Sequence, residues 1–306
     1  MRSLNRKASL PNILIWFLFS IFIITLTGCD KFEGDQTVPS YLKIDSILFI
    51  SDNELEGTSN QKISDAWVFI DDDLIGGFEL PALIPILKKG NHKLEVRPGI
   101  ILNGISDTRA PYPCIQPVII ESLELFPDSI VTLSLTSNYY ENSEFVWMED
   151  FEDASLAIKA SQNSDTAIYR TNGNLAYHDV YSEFSGICYV DTANSFVQLV
   201  SVESNNQGFV FDRGDFIFLE INYRNNIPIV VGVYIKLMDN TVQQRSFLII
   251  NPTEEWNKIY VNFTPIVNET TDAVYYNLYL EAQQQDDVEN GYIMLDNIKL
   301  VTRPNL

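Results

Sequence analysis

The sequence predicts an all-β chain in which two antiparallel β-sandwich domains follow a short export segment. Apolar and polar residues alternate with a period of two through run after run of the chain. Pro, Gly, Asn or Asp separates these runs, as expected between strands. No stretch keeps the 3.6-residue period of an amphipathic helix between caps, so we expect little helix. With 306 residues, the chain is long enough for two domains with real cores.

Residues 1–28 have the pattern of a secretory signal. A basic start containing Arg6 and Lys7 precedes an apolar run over residues 13–26, which is short for a membrane span. The run ends in Leu-Thr-Gly-Cys, which resembles the bacterial lipobox. The resemblance implies that Cys29 is diacylated and becomes the mature N-terminus. The alternative is an uncleaved N-terminal anchor helix.

Residues 29–40 are polar and acidic and show no periodicity, which predicts a lipidated tether. The acidic residues behind Cys29 resemble the surface-export signal of Bacteroidota lipoproteins. We therefore expect a cell-envelope protein that is lipid-anchored in the outer membrane and exposed at the cell surface. The net charge of −21 argues against nucleic acid as a partner and against an electrostatic grip on anionic lipid. Membrane attachment is therefore assigned to the lipid alone.

Cys114 and Cys188 are the two cysteines left after lipidation, and they fall in different predicted domains. Export makes a disulfide between them chemically feasible. We favour two separate buried thiols, with a cross-domain bridge as the alternative. The chain has no CxxC motif or Cys/His cluster that would indicate zinc or redox chemistry.

Residues 41–140 predict the first β domain. We expect strands at 42–50, 66–70, 74–78, 84–87, 93–97, 118–125 and 129–135, with Asp71-Asp72-Asp73 as a hairpin turn. The stretch over residues 64–100 resembles the PEGA domain, a small β-sandwich of bacterial surface proteins. Its features here are the acidic turn, Pro81 and Pro85, and a Gly-x-His before a strand that ends in Pro-Gly. The resemblance implies a structural or interaction module without catalytic residues.

The segment over residues 103–117 interrupts the alternation and holds three prolines. An irregular loop of this length is uncommon unless it is functional or disordered. We regard it as the best candidate in the first domain for contact with a protein partner. The alternative is a loop that merely packs over a sheet edge.

Residues 141–306 predict a second, larger β domain. Strands are expected at 196–202, 216–223, 229–237, 244–250, 258–263, 274–281 and 291–301. In the last of these the apolar parity shifts, which predicts a bulge at Asp296-Asn297. An opening Asp-Phe-Glu strand, a Trp-x-x-Ile-Tyr-Val strand and a closing Leu-Asp-Asn-Ile strand resemble the galactose-binding-like jelly roll, to which many carbohydrate-binding modules belong.

The jelly-roll resemblance implies that the first and last strands lie side by side and hold a structural calcium ion. Calcium needs six to eight oxygen ligands, which carboxylates on adjacent strands supply. The alternative is an acidic strand that faces water. The candidate ligands are Glu149, Asp150, Glu152 and Asp296.

A sugar site needs flat aromatic faces together with planar polar groups. If the apolar parity of the second domain faces its core, the opposite parity displays tyrosines on neighbouring strands with an asparagine between them. Ordinary cross-strand packing is the alternative for each tyrosine. The candidate ligand-binding residues are Tyr234, Tyr260, Tyr275, Asn277 and Tyr279.

Catalysis has little support in the sequence. The chain has two histidines, and neither belongs to a recognisable catalytic motif. We therefore expect a non-enzymatic protein that binds a carbohydrate or other envelope polymer through its second domain. The alternative is an accessory, protein-binding subunit of an outer-membrane or secretion assembly.

Overall fold

The structure, a computed structural model, describes residues 38–202 and 208–305. The export segment, Cys29 and most of the tether lie outside this range, so these assignments stay predictions. In the described part, no helix has the length and apolar character to cross a membrane.

The first half of the chain forms two facing sheets. Sheet I has the strand order β4-β1-β8, and sheet II has the order β3-β2-β5-β6, with β7 also paired to β5. Their inner residues form one core, with Leu42, Val68 and Val96 among those fully buried. The strands are β1 (Ser40–Phe49), β2 (Asp65–Ile70), β3 (Asp73–Glu79), β4 (Ala82–Ile86), β5 (Gly90–Ile101), β6 (Arg109–Pro111), β7 (Val118–Leu125) and β8 (Ile130–Ser137).

The acidic turn closes the β2–β3 hairpin as predicted. Asp71 and Asp72 have φ angles of 54° and 67°, the left-handed region that short hairpin turns require and that Asp tolerates. The Asp71 carboxylate receives hydrogen bonds from Lys88 and the backbone N–H of Lys93, and it contacts His92. The bonds from Lys88 and His92 lower the pKa of Asp71 to about 2.

The second half forms a larger sandwich. Sheet III has the order β10-β13-β18-β15-β16, and sheet IV has the order β11-β12-β19-β14-β17, with β9 also paired to β19. The strands are β9 (Glu144–Glu149), β10 (Ile158–Ala160), β11 (Tyr169–Thr171), β12 (Ser185–Val190), β13 (Phe196–Ser201), β14 (Phe216–Asn225), β15 (Ile229–Leu237), β16 (Val242–Ile250), β17 (Thr253–Asn262), β18 (Ala273–Gln283) and β19 (Gly291–Arg303); the short helix α1 (Thr264–Glu269) follows β17.

These elements confirm the predicted fold class of two β-sandwiches with little helix. One feature departs from the prediction: β1 and β8 pair in parallel, whereas the sequence pattern predicts antiparallel pairing throughout. Alternation fixes which side chains face the core, but it carries no information about strand direction. The predicted bulge is present, because between the pairs Glu220–Lys299 and Asn222–Asp296 β14 has one residue and β19 has two, Asn297 and Ile298.

The two sandwiches share a small interface core. Tyr112, Ile115 and Tyr139 of the first half pack against Phe218 and other residues of sheet IV. Within the described range, Cys114 and Cys188 are both buried free thiols. Burial raises the pKa of Cys114 to about 12 and that of Cys188 to about 11.

Candidate functional site

The outward face of sheet III is open to solvent and is called the open face below. Tyr234 of β15 lies opposite Asn277 of β18, and Lys236 lies opposite Tyr275. The next β18 residues on this face, Tyr279 and Glu281, lie opposite Val200 and Gln198 of β13. The open face therefore comprises Gln198, Tyr234, Lys236, Gln244, Ser246, Tyr275, Asn277, Tyr279 and Glu281.

A chain of side-chain hydrogen bonds crosses the open face. The hydroxyl of Tyr234 donates to Oε1 of Gln198 over 2.7 Å, and Nε2 of Gln198 donates to Oε2 of Glu281 over 2.9 Å. Tyr234 is half-buried, and burial raises the pKa of its hydroxyl. These bonds fix the ring and the amide in one orientation. The entropic cost of ordering these side chains when a ligand binds is therefore lower.

Tyr279 forms the floor of the open face. Its ring lies over Gly232, where a Cβ atom would stand only 2.4 Å from the Tyr279 hydroxyl. The hydroxyl pairs with Oγ of Ser246 at 2.9 Å, and the ring centroid lies 5.1 Å from that of Tyr234. Glycine at position 232 thus lets one aromatic ring lie flat on the sheet and support the next.

Four of the five predicted ligand residues lie together on the open face: Tyr234, Tyr275, Asn277 and Tyr279. Tyr279 is only 1% exposed, so it supports the surface from below and does not offer its own face. Gln198 and Gln244 were missed by the sequence analysis. Gln198 lies on the same face of β13 as Phe196, and Gln244 lies on the same face of β16 as Val242. Both could have been predicted from this alternation, had the sequence shown that β13 pairs with β18 and β16 with β15.

Tyr260, the fifth predicted residue, is wrongly placed by the sequence analysis. It lies on β17 in sheet IV, is 1% exposed, and accepts a hydrogen bond from the backbone N–H of Lys62. The outward parity of its strand was predicted correctly, but the first sandwich covers that face. Tyr260 therefore cannot contact a ligand in this arrangement.

The outward face of sheet IV is called the covered face, and its centre is Glu220. This fully buried carboxylate pairs with Nζ of Lys258 at 3.0 Å. It also accepts hydrogen bonds from the hydroxyls of Tyr112 and Tyr139 at 2.8 and 2.9 Å. Burial raises the pKa of Glu220, but the charges of Lys258 and Lys299 outweigh that effect and hold the pKa below its usual value.

The connection between β1 and β2 lies over the covered face. Nε2 of Gln61 donates to Glu220 over 2.8 Å, and Oγ1 of Thr58 donates to Oδ1 of Asn297 over 2.7 Å. Nζ of Lys299 donates to the Thr58 carbonyl over 2.7 Å. Burial lowers the pKa of Lys299 to about 7 despite the attraction of Glu220. Polar contacts thus hold the two sandwiches together.

Part of the loop over residues 103–117 is buried against the second sandwich. Tyr112, Cys114 and Ile115 are at most 3% exposed, and Arg109 is bound to Asp65 at 2.6 Å. The three buried residues are not available to another protein, whereas the Arg109 side chain is partly exposed. Contact with a partner through the remaining residues of the loop stays a prediction.

The first and last strands of the second domain are adjacent as expected, with Glu149 of β9 opposite Ile298 of β19. Two of the candidate calcium ligands, Glu149 and Asp296, accept hydrogen bonds from other groups of the protein. Glu149 accepts the backbone N–H groups of Phe151 and Ala157, and both serine hydroxyls at positions 182 and 185 donate to Oδ2 of Asp296. In the described segments, no three His, Cys, Asp or Glu side chains are grouped to hold a metal ion.

A guanidinium group lies where the opening strand ends. Arg170 donates from Nε to the carbonyl of Phe151 over 2.6 Å and from Nη2 to the carbonyl of Glu152 over 2.7 Å. Oε1 of Glu152 accepts the N–H groups of Glu183 and Phe184 at 2.8 Å, and Asp150 accepts the N–H of Glu152. These bonds engage Oδ1 of Asp150 and Oε1 of Glu152 with protein N–H groups, and calcium binding stays a prediction.

No protein-family model matches this chain, and no curated protein matches it. Among solved structures, the CBM22-1 xylan-binding domain of Paenibacillus barcinonensis Xyn10C aligns with a TM-score of 0.38 and 10% identity, covering 55% of this chain and 99% of that domain. The C-terminal family 22 carbohydrate-binding module of Clostridium thermocellum Xyn10B aligns with a TM-score of 0.38 and 13% identity, covering 53% and 94%.

The enzymatically active domain of bacteriophage CBA120 tailspike protein 4 aligns with a TM-score of 0.36 and 13% identity over 50% of this chain. The aligned part spans only 20% of that tailspike chain. With TM-scores this low, none of these similarities carries an argument about what this chain does.

Proposed function

We propose that this chain is a lipid-anchored, non-catalytic protein of the outer membrane, exposed at the cell surface, that binds a carbohydrate or related envelope polymer through the open face. The observation that carries the proposal is the set of Tyr234, Asn277 and Glu281 on adjacent strands, held in place by the buried amide of Gln198. A tyrosine ring offers a flat apolar surface to the C–H face of a sugar, and amide and carboxylate groups bond its hydroxyls.

The chemistry of the open face fits a neutral, hydroxyl-rich ligand. Glu281 accepts hydrogen bonds from Gln198 and, more weakly at 3.5 Å, from Gln244. Lys236 donates to the backbone carbonyl of Asn240. The amides of Asn277 and Gln244 can both donate and accept, as sugar hydroxyls do, and the hydroxyl of Tyr234 can still accept. A flat, solvent-exposed arrangement of this kind suits a chain-like polymer better than a small buried substrate.

The test is retention of the purified protein on immobilised neutral polysaccharides, after an array has identified one that binds. We expect Tyr234→Ala to weaken retention about tenfold, because one aromatic contact contributes about 0.5–1.5 kcal/mol and 1.4 kcal/mol is a factor of ten. The matched control is Tyr189→Ala, which removes an exposed tyrosine from β12 in sheet IV. Full retention by a folded Tyr234→Ala protein would refute the assignment of the open face.

A further inference from the structure

A groove of about 480 Å³ lies between the two sandwiches, away from the open face. Residues of β5 and β6 contribute one wall, and residues of β14 and β19 contribute the other. This volume is within the range of about 300–1,000 Å³ that is usual for small-ligand sites. The lining residues on which the argument rests are Arg97, Pro111, Tyr140, Phe216, Asn262 and Arg303.

Arg303 is held rigidly in the wall of the groove. Its guanidinium carbon lies 3.8 Å from the centroid of the Tyr140 ring and 5.5 Å from that of Phe216. Nη1 donates to the carbonyl of Pro113. Nε is buried, and no hydrogen-bond partner for it exists among the described residues. The cation is therefore positioned by the two aromatic rings and by the Pro113 carbonyl.

Arg97 supplies a second guanidinium on the opposite wall. Its Nε donates to Oε1 of Glu95 over 2.6 Å, and its planar group lies 4.5 Å from the Phe69 centroid. The side chain is 48% exposed, so its terminal nitrogens are accessible. Two arginines against the single carboxylate of Glu95 give this lining a positive balance, although the whole chain has 41 acidic and 20 basic residues.

We propose that this groove binds a carboxylate-bearing sugar unit, such as a uronic acid within a polymer. Guanidinium groups pair with carboxylates in a planar, bidentate geometry. Tyr140, Phe216 and Pro111 offer apolar surface to a pyranose ring. Asn262 uses its carbonyl oxygen to accept the N–H of Thr264 at 3.0 Å, which leaves its amide nitrogen for a sugar hydroxyl. This site is separate from the open face and takes a charged sugar instead of a neutral one.

The test is isothermal titration of the whole protein with hexamers of galacturonate, glucuronate and mannuronate at low salt. Each is compared with its methyl ester, which keeps the ring and removes the charge. We expect at least one acid form to bind at least tenfold more tightly than its ester. We expect Arg97→Gln to weaken that binding about tenfold, whereas Arg245→Gln, which breaks an exposed pair with Glu269, leaves it unchanged.

A second variant, at Arg303, tests the other wall of the groove independently of Arg97. Arg303→Lys keeps the charge but loses the planar stacking, and we expect it also to weaken binding of the acid hexamer severalfold. Three results would overturn the proposal: equal binding of acid and ester, no binding of any of the three hexamers, or unchanged binding by the Arg97→Gln protein. So would a poly-glutamate peptide that binds as tightly as the hexamer. Loss of uronate binding in Tyr234→Ala would assign the acidic sugar to the open face instead.

Discussion

The open face and the covered face are the two outward surfaces of the same sandwich, and they are built differently. The covered face buries charges: Glu220, Lys258 and Lys299 are each at most 7% exposed. The open face carries tyrosines and amides whose hydrogen bonds run along the surface, and Gln244 and Ser246 are exposed. The comparison teaches that outward charge on a strand does not by itself indicate contact with water. The open face also carries the charges of Lys236 and Glu281, and the two faces differ in that the charges of the covered face are buried by another part of the chain.

The largest expected effect is on the covered face. Glu220→Gln keeps the shape of the side chain but leaves the buried ammonium group of Lys258 without its counter-charge. We expect a loss of about 3–5 kcal/mol in the free energy of unfolding, the usual cost of breaking a buried ion pair by removing one partner. Urea unfolding measures it.

The matched control for Glu220→Gln is Glu281→Gln on the open face. Glu281 is half-buried and accepts bonds from amides, and no lysine in the described part of the chain is paired to it. We expect this change to cost less than about 1 kcal/mol, since a glutamine keeps a side-chain oxygen that can accept the amide N–H at this partly exposed position. Equal effects of the two substitutions would remove the distinction between the faces.

The next effect is on the pH dependence of stability. Burial raises the pKa of Asp296, beside the covered face, from 3.8 to about 8, against the opposing hydrogen bonds from Ser185 and Ser182. Between these two pKa values the folded protein holds a proton that the unfolded chain releases. Stability from this group is therefore complete below pH 3.8 and is lost as the pH rises towards 8, with a slope of about 1.4 kcal/mol per pH unit.

The measurement is urea unfolding of the protein and of Asp296→Asn at several pH values from 4.5 to 6.5. This window lies below the pKa of about 7 of Lys299, and both proteins carry that lysine, so its titration does not distinguish them. The difference between the two proteins should change with pH, because asparagine does not titrate. A constant difference across the window would show that Asp296 is ionised in the folded protein.

The smallest effect is expected at the support of the open face. Gly232→Ala places a Cβ atom 2.4 Å from the Tyr279 ring and 2.6 Å from the Arg245 carbonyl. The ring must move, at a cost of about 1–3 kcal/mol for overpacking, and Tyr234 loses its neighbour. Thermal unfolding and polymer retention should both decrease. Gly173→Ala is the control, because its Cβ atom would meet only the Thr171 hydroxyl at 3.5 Å; a similar decrease there would contradict the explanation.

Much of the fold could be predicted because it depends on local pattern. The strand β15 (Ile229–Leu237) has the predicted bounds, and the Asp71-Asp72 turn and the β19 bulge lie where the residues require them. The candidate site could be predicted only in part. Parity shows that Tyr234 and Tyr260 both face outward from their sheets, but which sheet is covered depends on contacts with residues about 200 positions away, such as Lys62 with Tyr260.

The parallel pairing of β1 and β8 has a mechanical consequence if the chain is tethered at its N-terminus. Drag on a bound polymer would then pull on the N-terminal end of β1 and on the C-terminal end of β8. Because the two strands are parallel, these forces act in opposite directions along the strand axis. Their pairing runs from Tyr41 with Ile130 to Phe49 with Ser137, with one register shift between Ile44 and Ile47. The backbone bonds on each side of that shift would be loaded together in shear and would not open one after another. We expect single-molecule pulling between the two ends of the chain to give a higher rupture force for this pair than pulling that peels β4 from β1.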